Sequence, residues 1–281
     1  MEEIWAMGEG TPVAGSDNPL ADLYLERSAM IDKENILNKN DDETLDALTC
    51  GNLFVLQKKQ GYRYSLDAYL LAAFVEESPG ARVLDIGSGS GVISLLLAAM
   101  KGLFVTGIEI QEPIAEMARR SVQFAGLQER IEIVSADIRE YSGPAVDAVV
   151  SNPPYRPVWT GRINCDQGKA IARHEISLDL DTLLACSSRL LKPGGRFYLV
   201  YPVWRLTDLI AAMRSHRIEP KRIMFVHSTT HSPAEMCLVC GTRDGGKELC
   251  VKSPFFVFAH EGIYTQEMEG VFRELRLPKS H

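Results

Sequence analysis

The stretch Val83-Leu84-Asp85-Ile86-Gly87-Ser88-Gly89-Ser90-Gly91-Val92 decides the fold. Apolar and β-branched residues at 82–86 predict a strand, and residues 92–100 predict a helix. Glycines between them let the backbone approach a ligand closely, next to the N–H donors of the helix N-terminus. The dinucleotide fingerprint G-x-G-x-x-G requires glycine where Val92 stands, so this stretch reads D-x-G-x-G-x-G instead.

Strands and helices alternate on both sides of this stretch. The predicted strands are 53–57, 82–86, 104–110, 131–136, 146–151, 196–201, 223–226, 236–241 and 255–259. The predicted helices are 66–77, 92–100, 112–125, 178–191, 204–216 and 266–276. This alternation indicates an α/β fold, with a mostly parallel sheet and helices on both faces. Too few residues separate Val226 from Met236 for a helical crossover, so that strand pair is predicted to be antiparallel.

Composition and charge set further limits. The chain has 281 residues, 46% apolar and 24% charged, which is typical of a soluble globular protein. We find no apolar run long enough to span a membrane and no signal peptide, and we expect a cytoplasmic protein. The net charge is −7, but residues 1–46 alone hold 12 acidic and three basic side chains. The remainder is near neutral, so a polyanion could bind only through a local patch.

The first 45 residues differ in composition from the rest. They mix Gly, Pro, Ser, Asp and Asn, which predicts a disordered acidic tail. We therefore expect one domain over 46–281, with a lead-in helix or lid at 46–80 and a core at 81–281.

The cysteines give no metal pattern. Cys237 and Cys240 lie three apart in a predicted strand, so their thiols should point to opposite faces of the sheet. No second pair with metal-ligand spacing follows. We expect no metal site.

The D-x-G-x-G-x-G stretch resembles the first motif of S-adenosylmethionine (SAM) methyltransferases. Three acids end successive strands, where ligands of open α/β sheets bind. Glu109 is placed to accept the ribose hydroxyls, and Asp137 to lie near the adenine amino group, with Ile138 or Ile110 against the ring. The predicted cofactor residues of the first strand and its turn are Asp85, Gly87, Ser88, Gly89 and Gly91.

The tetrapeptide Asn152-Pro153-Pro154-Tyr155 ends the fourth strand of the core. The Asn152 amide oxygen can accept a hydrogen bond from an NH2 group, and Pro153 forces Asn152 into an extended conformation. The prolines remove backbone donors and leave carbonyl acceptors, while Tyr155 offers a ring for stacking a planar target. These four residues are the predicted catalytic residues, and Asn152 also borders the cofactor.

Together the two motifs resemble class I SAM-dependent methyltransferases that modify planar NH2 groups. The segment Gln60–Leu71 is similar to the lead-in of bacterial tRNA(Val) adenine-N6 methyltransferases, and the resemblance covers about residues 45–275. It implies a Rossmann-like, seven-stranded sheet with one antiparallel strand, and SAM as cofactor. It also implies that Ser65 and Asp67 close over the methionine end of SAM, although helix capping explains both equally well.

Three segments are candidates for substrate contact. The segment 156–176 is long for a strand-to-helix connection and carries Arg156, Lys169 and Arg173, which we predict to bind substrate; a solvated surface loop is the alternative. Residues 205–222 are better explained as a solvated helix face. The loop 227–233 is either a border of the site or a polar hairpin.

The resemblance implies direct methyl transfer from SAM to adenine N6 in tRNA, at position 37 next to the anticodon. The alternatives are glutamine-N5 methylation of release factors and adenine-N6 methylation of ribosomal RNA or DNA. A non-catalytic SAM-binding module is a further alternative, which the intact tetrapeptide disfavours.

Overall fold

The computed structural model describes residues 39–50, 53–60, 66–153 and 179–278 of the chain. The α-helices in these residues are α1 (Leu66–Phe74), α2 (Val92–Lys101), α3 (Glu112–Phe124), α4 (Leu180–Leu190), α5 (Leu206–Ser215) and α6 (Gln266–Glu274). The strands are β1 (Glu43–Ala47), β2 (Phe54–Lys58), β3 (Arg82–Ile86), β4 (Phe104–Glu109), β5 (Ile131–Ser135), β6 (Val146–Ser151), β7 (Leu191–Pro202), β8 (Ile218–His227), β9 (Ala234–Arg243), β10 (Cys250–Val251), β11 (Phe255–Phe256), β12 (Phe258–His260) and β13 (Ile263–Tyr264).

The unit β3–α2–β4 starts the parallel sheet. Gly91 caps the N-terminus of α2 with φ 85°, and Gly102 ends the helix with φ 66°. Both values lie in the left-handed region, which glycine adopts at little cost. The N–H of Gly102 bonds to the carbonyls of Ala98 and Leu97, so the helix stops sharply and the chain returns to the sheet.

The main sheet has the order β5-β4-β3-β6-β7-β9-β8-β10, and β11 also pairs with β8. β9 is antiparallel to both of its neighbours, β7 and β8, whereas the other pairs are parallel. The predicted α/β fold with one antiparallel strand is therefore confirmed. Beyond the seven long strands, β10 and β11 add two residues each along β8.

Helices cover both faces of the sheet. On one face, the apolar side chains of α1, α2, α3 and α6 form a cluster that includes Leu71, Leu95 and Val271. On the other face, α4 and α5 contribute Leu184 and Met213 to a second cluster. Within the described residues, no helix has the length and apolar character needed to cross a lipid bilayer.

An N-terminal hairpin corrects the predicted domain boundary. β1 pairs with β2 in antiparallel register from Glu43↔Lys58 to Ala47↔Phe54. The boundary between residues 45 and 46 thus falls inside a strand, and the expected disordered tail does not extend to residue 45. The physical reason is a long-range contact: the Ser121 hydroxyl of α3 accepts a hydrogen bond from the Leu56 N–H, 2.9 Å away.

An ion pair anchors the same hairpin. Glu43 is 1% exposed, and both of its carboxylate oxygens accept hydrogen bonds from Arg120 of α3, at 3.0 and 2.6 Å. Burial alone would raise the pKa of Glu43, but hydrogen bonds from Arg120 and Asn40 outweigh it and hold the pKa at about 2. This pair ties the lead-in segment to the core of the sheet.

Two predicted boundaries also shift. Residues 192–195, expected to be a turn between helix and strand, lie within β7. Val146 pairs with Leu191 and Ala148 with Arg196, so the residues between them on β7 bulge out of the ladder. The predicted strand at 255–259 is divided, because β11 pairs with β8 whereas β12 pairs with β13.

We expect Arg120→Met to lower the free energy of unfolding by about 3 kcal/mol, because the buried Glu43 would lose both hydrogen bonds from Arg120 and keep Lys58 as its cation, whose Nζ lies 3.9 Å away. The folded-state pKa of Glu43 lies below its ordinary value of 4.5, so its contribution is complete above about pH 4.5 and is lost as the pH falls toward 2. Urea unfolding at pH 7 and pH 3.5 measures both effects. The variant should lose less stability than the wild type between these two pH values.

Arg273→Met is the matched control, since Arg273 is exposed and pairs with Glu274 on the same helix at 3.8 Å. Its stability should stay within about 0.5 kcal/mol of the wild type. Equal losses in the two variants would contradict an anchoring role for the Arg120–Glu43 pair.

Candidate active site

Four adjacent strands end at one edge of the sheet. Ile86 of β3 is in register with Ile108 of β4 and with Ser151 of β6, and Glu109 is in register with Ser135 of β5. The residues that follow these strands therefore lie side by side. The predicted acids and amide come together in this way at the carboxyl ends of the strands, as Asp85, Glu109, Asp137 and Asn152.

The glycine turn between β3 and α2 needs its glycines. Gly87, Gly89 and Gly91 have φ values of 72°, 54° and 85°, which other residues adopt only with strain. A side chain at Gly91 would also place its Cβ 3.3 Å from the Cβ of Ala118 in α3. The turn therefore packs closely against α3 at Gly91.

Four backbone N–H groups of this turn donate hydrogen bonds to other groups of the protein. Gly87 and Ser88 both donate to the carbonyl of Ile108, at 2.9 and 3.0 Å, and Gly91 donates to the carbonyl of Ser88 at 2.9 Å. The Gly89 N–H donates to Oε2 of Glu109 at 3.0 Å. These four N–H groups therefore bond within the protein, and the donors expected for a ligand remain those at the N-terminus of α2. Phosphate-binding turns direct such donors at the anion, whereas these four bond within the protein.

Glu109 connects the turn to the end of β4. Its carboxylate accepts the Gly89 N–H at Oε2 and the Gln111 N–H at Oε1, the latter at 2.9 Å, and the residue is 6% exposed. Each carboxylate oxygen has a second lone pair. The fixed carboxylate can therefore still accept hydroxyl groups of a ribose.

Asp85 is a fully buried carboxyl group beneath the turn. The Ser94 hydroxyl of α2 donates to its Oδ2 at 2.7 Å, whereas Oδ1 has no hydrogen-bond partner. Burial raises the pKa of Asp85 to about 7, against the lowering effect of Ser94, and the charge of Glu109 raises it further. A cationic ligand near this carboxyl would favour its ionised form.

A glycine within β4 shapes the same region and was not predicted from sequence. A Cβ on Gly107 would lie 2.7 Å from Cδ1 of Ile133 and 3.0 Å from both Cβ and Oγ of Ser88. The Ser88 side chain thus packs on Gly107, and its Oγ is buried without a partner. A glycine inside a strand is a sequence sign of close approach, and this was the available signal.

Asn152 and Pro153 follow β6 at the same edge. Pro153 is buried and Asn152 is half-buried. The Ser151 hydroxyl donates to the carbonyl of Ile86 at 2.8 Å, which ties the end of β6 to the end of β3. The backbone of Asn152 therefore leaves β6 beside the point where the glycine turn leaves β3. Sequence reasoning passed over both Ser151 and Ser94, since serines at such positions have no distinctive pattern.

Of the residues predicted to lie near the adenine, Asp137 forms an ion pair, Ile138 is buried and Ile110 is exposed. Arg139 donates to both carboxylate oxygens of Asp137, with Nε at 2.9 Å from Oδ1, and these bonds lower the pKa of Asp137. Ile138 packs in the core between sheet and helices, while Ile110 is 42% exposed at the end of β4. Of the two isoleucines proposed to contact an adenine ring, Ile110 is the one whose side chain reaches the surface.

Several predicted residues lie outside the described residues: Ser65, Pro154, Tyr155, Arg156, Lys169 and Arg173. Their roles stay predictions. Asp67 is described and occupies the first turn of α1, half-buried, where a carboxylate complements the helix dipole.

The residues present fit SAM. The glycine turn allows a close approach of the cofactor, and Glu109 has a fixed carboxylate that could bond to a ribose. The buried Oδ1 of Asp85 has no hydrogen-bond partner, and a cationic cofactor nearby would favour the ionised form of this carboxyl group. Asp85, Glu109 and the glycine turn would hold the cofactor, with Ile110 against its adenine.

The two cysteines of β9 lie on opposite faces of the sheet, as predicted. Cys237 packs in the cluster under α4 and α5, and Cys240 in the cluster under α1 and α2. In the described part of the chain, no group of three or more His, Cys, Asp or Glu side chains is arranged to hold a metal ion.

We expect Asp85→Asn to remove a pH-dependent loss of stability. The folded-state pKa of about 7 lies above the ordinary 3.8, so the protonated carboxyl stabilises the fold at low pH and this contribution disappears as the pH rises through 7. Urea unfolding at pH 5 and pH 8 should show the variant gaining stability relative to wild type at pH 8. The control is Asp41→Asn, an exposed carboxylate, which should not change with pH in this way. Parallel behaviour of all three proteins would contradict the assignment.

We expect Gly107→Ala to destabilise the protein by about 1–3 kcal/mol and to weaken SAM binding, because the added methyl group displaces Ser88 and the turn. Thermal unfolding and calorimetric titration with SAM measure the two effects. Gly246→Ala is the control, since a Cβ there meets nothing within 4 Å. Unchanged SAM affinity in Gly107→Ala would show that the turn does not depend on this contact.

Comparison with known proteins gives consistent results. A family model described as the methyltransferase small domain matches residues 64–203. A tRNA1(Val) (adenine(37)-N6)-methyltransferase of Bacteroides fragilis is 32% identical over 228 residues, covering 79% of this chain and 94% of the relative. One of Porphyromonas gingivalis is 34% identical over 188 residues, covering 63% of this chain and 72% of the relative.

Among solved structures, a protein of Agrobacterium tumefaciens described as a predicted O-methyltransferase aligns with a TM-score of 0.61 and 22% identity, over 76% of this chain and 98% of that chain. This likeness shows the methyltransferase fold. The identity along nearly the whole Bacteroides relative shows more: the chain belongs to the family of the tRNA1(Val) (adenine(37)-N6)-methyltransferases, which are SAM-dependent methyltransferases.

Proposed function

We propose that the protein transfers a methyl group from SAM to N6 of adenine 37 in a tRNA. The observation that carries this proposal is the juxtaposition of Asn152 and Pro153 with the glycine turn, fixed by the bond from Ser151 to Ile86. The relatives are named for methylating adenine 37 of tRNA1(Val), which supports the same substrate here.

SAM, when bound, supplies an electrophilic methyl group on a sulfonium. Glu109 would hold the ribose, and the turn at 87–91 would allow the cofactor to lie close to the backbone. Asn152 accepts one N–H of the target amine through its amide oxygen, and the carbonyl of Pro153 accepts the other. These two acceptors would direct the nitrogen lone pair toward the methyl group. The N–C bond forms as the methyl–sulfur bond breaks, S-adenosylhomocysteine is the leaving group, and the methylated nitrogen gives up one proton to water.

Alignment contributes most of the rate in this scheme. Well-oriented reacting groups can gain about 7–11 kcal/mol relative to free reactants. The acceptors at Asn152 and Pro153 also stabilise the amine as it acquires positive charge. Tyr155 would stack on the adenine, and Arg156, Lys169 and Arg173 would contact phosphates or flanking bases.

A tRNA anticodon loop suits this site. Its bases are unpaired and can be turned into a pocket at small cost, which exposes the amino group that a duplex would hide. A tRNA substrate supports a cytoplasmic location for the enzyme.

We expect Asn152→Ala to lower kcat at least about 100-fold, because the transition state loses a positioned acceptor. The assay uses labelled SAM and unmodified bulk tRNA, followed by nucleoside analysis for N6-methyladenosine. The SAM dissociation constant, measured by calorimetry, should change by less than about threefold, since the main cofactor contacts lie on β3 and β4.

Gln128→Ala is the matched control, since it removes an exposed amide between α3 and β5, at the opposite edge of the sheet. Its kcat should equal that of the wild type. If the wild type binds SAM but leaves tRNA unlabelled, the tRNA assignment is wrong. Release factors, ribosomal RNA and DNA then become the substrates to assay.

A further inference from the structure

An exposed tryptophan stands beside the proposed site. Trp204 lies in a short 3₁₀ turn, Val203–Arg205, between the end of β7 and α5. It is 68% exposed, more than any other large apolar side chain in the described residues. Tryptophan combines a large apolar ring with a polar N–H group and is enriched at binding interfaces.

The position of Trp204 follows from the strand register. β7 is the neighbour of β6, with Leu199 level with Ser151. Strand spacing and the rise of a 3₁₀ turn put the Cα of Trp204 roughly 10 Å from the Cα of Asn152, at the same edge of the sheet. A nucleotide next to a target base held by Asn152 would therefore reach this ring.

The ring is also held in place. The Arg205 guanidinium carbon lies 5.8 Å from the centroid of the Trp204 ring and 5.5 Å from that of Tyr201. Asp208 of α5 accepts a hydrogen bond from Arg205 Nε at 3.4 Å, which orients the guanidinium. An exposed ring held by a cation is suited to stacking on another planar group.

The charge of the chain favours stacking over electrostatic attraction. Beyond residue 46, the chain has 27 basic and 25 acidic side chains, so its body has no large excess of positive charge. Binding of an RNA loop must then draw on contacts other than a broad positive field. Unpaired bases stack on aromatic side chains with little dependence on sequence.

We infer that Trp204, supported by Arg205, is a stacking platform for an unpaired base that flanks the target adenine. This inference rests on the proposed function and deepens it. It also revises the expectation that the segment from residue 205 onward is only a solvated helix face, because the start of that segment supports the platform.

The kinetic test measures methyl transfer to an anticodon stem–loop RNA. We expect Trp204→Ala to raise KM for the RNA at least about tenfold while kcat changes less than about twofold. Trp204→Phe should restore most of the affinity, because it keeps an aromatic face. SAM binding should be the same in all variants.

Phe104→Ala is a matched control. Phe104 is also exposed, at 44%, and the guanidinium carbon of Arg130 lies 5.2 Å from its ring centroid, but it begins β4 at the opposite edge of the sheet. Its KM should not change. Equal KM values in wild type and Trp204→Ala would overturn the inference and leave the proposed function intact.

A second readout does not depend on catalysis. The chain has three tryptophans, so Trp5→Phe with Trp159→Phe leaves Trp204 as the sole indole fluorophore. Stem–loop RNA should quench its fluorescence in a saturable manner. If the wild type methylates no tRNA, the proposed function fails, and this titration still decides whether RNA stacks on Trp204. Unchanged fluorescence on adding RNA overturns the stacking inference.

Discussion

The attachment of the glycine turn to the end of β4 is the constraint on which the site depends. One carbonyl, that of Ile108, accepts the N–H groups of both Gly87 and Ser88, and the Glu109 carboxylate accepts the N–H of Gly89. These bonds use donors that a phosphate-binding turn would present to its ligand. The same contacts therefore fix the backbone of the turn against the end of β4. A cofactor whose ribose hydroxyls bond to the Glu109 carboxylate is compatible with this arrangement.

Burial of Asp85 links the stability of the fold to cofactor binding. A carboxyl group without full hydrogen bonding is unfavourable in an apolar interior, and the raised pKa of Asp85 reflects this. Ser94 satisfies one oxygen only. A bound cation nearby would compensate the charge, so cofactor binding and ionisation of this group should support each other. Asp85 is buried because β3 lies between β4 and β6 and is covered by helices on both faces.

Much of this could be predicted from the sequence, because the signals are local. The strand–turn–helix over 82–101 and the Asn152–Pro153 strand end are contiguous motifs with fixed backbone requirements. The rest depends on contacts between distant residues. β1 belongs to the domain because Glu43 meets Arg120, 77 positions away along the chain. Gly107 matters because Ser88 packs on it, and Trp204 because β7 lies beside β6. No local sequence pattern shows that the N–H groups of Gly87, Ser88 and Gly89 bond to the end of β4.

The most direct test of the central claim is a crystal structure of the protein with S-adenosylhomocysteine and an anticodon stem–loop RNA. We expect ribose hydroxyls within hydrogen-bond distance of the Glu109 carboxylate, and the amino group of the target adenine within the same distance of the Asn152 amide oxygen. We also expect the N–H groups of Gly87 and Ser88 to stay bonded to Ile108. A cofactor bound away from the ends of β3 and β4, or an adenine amine that does not contact Asn152, would contradict the central claim.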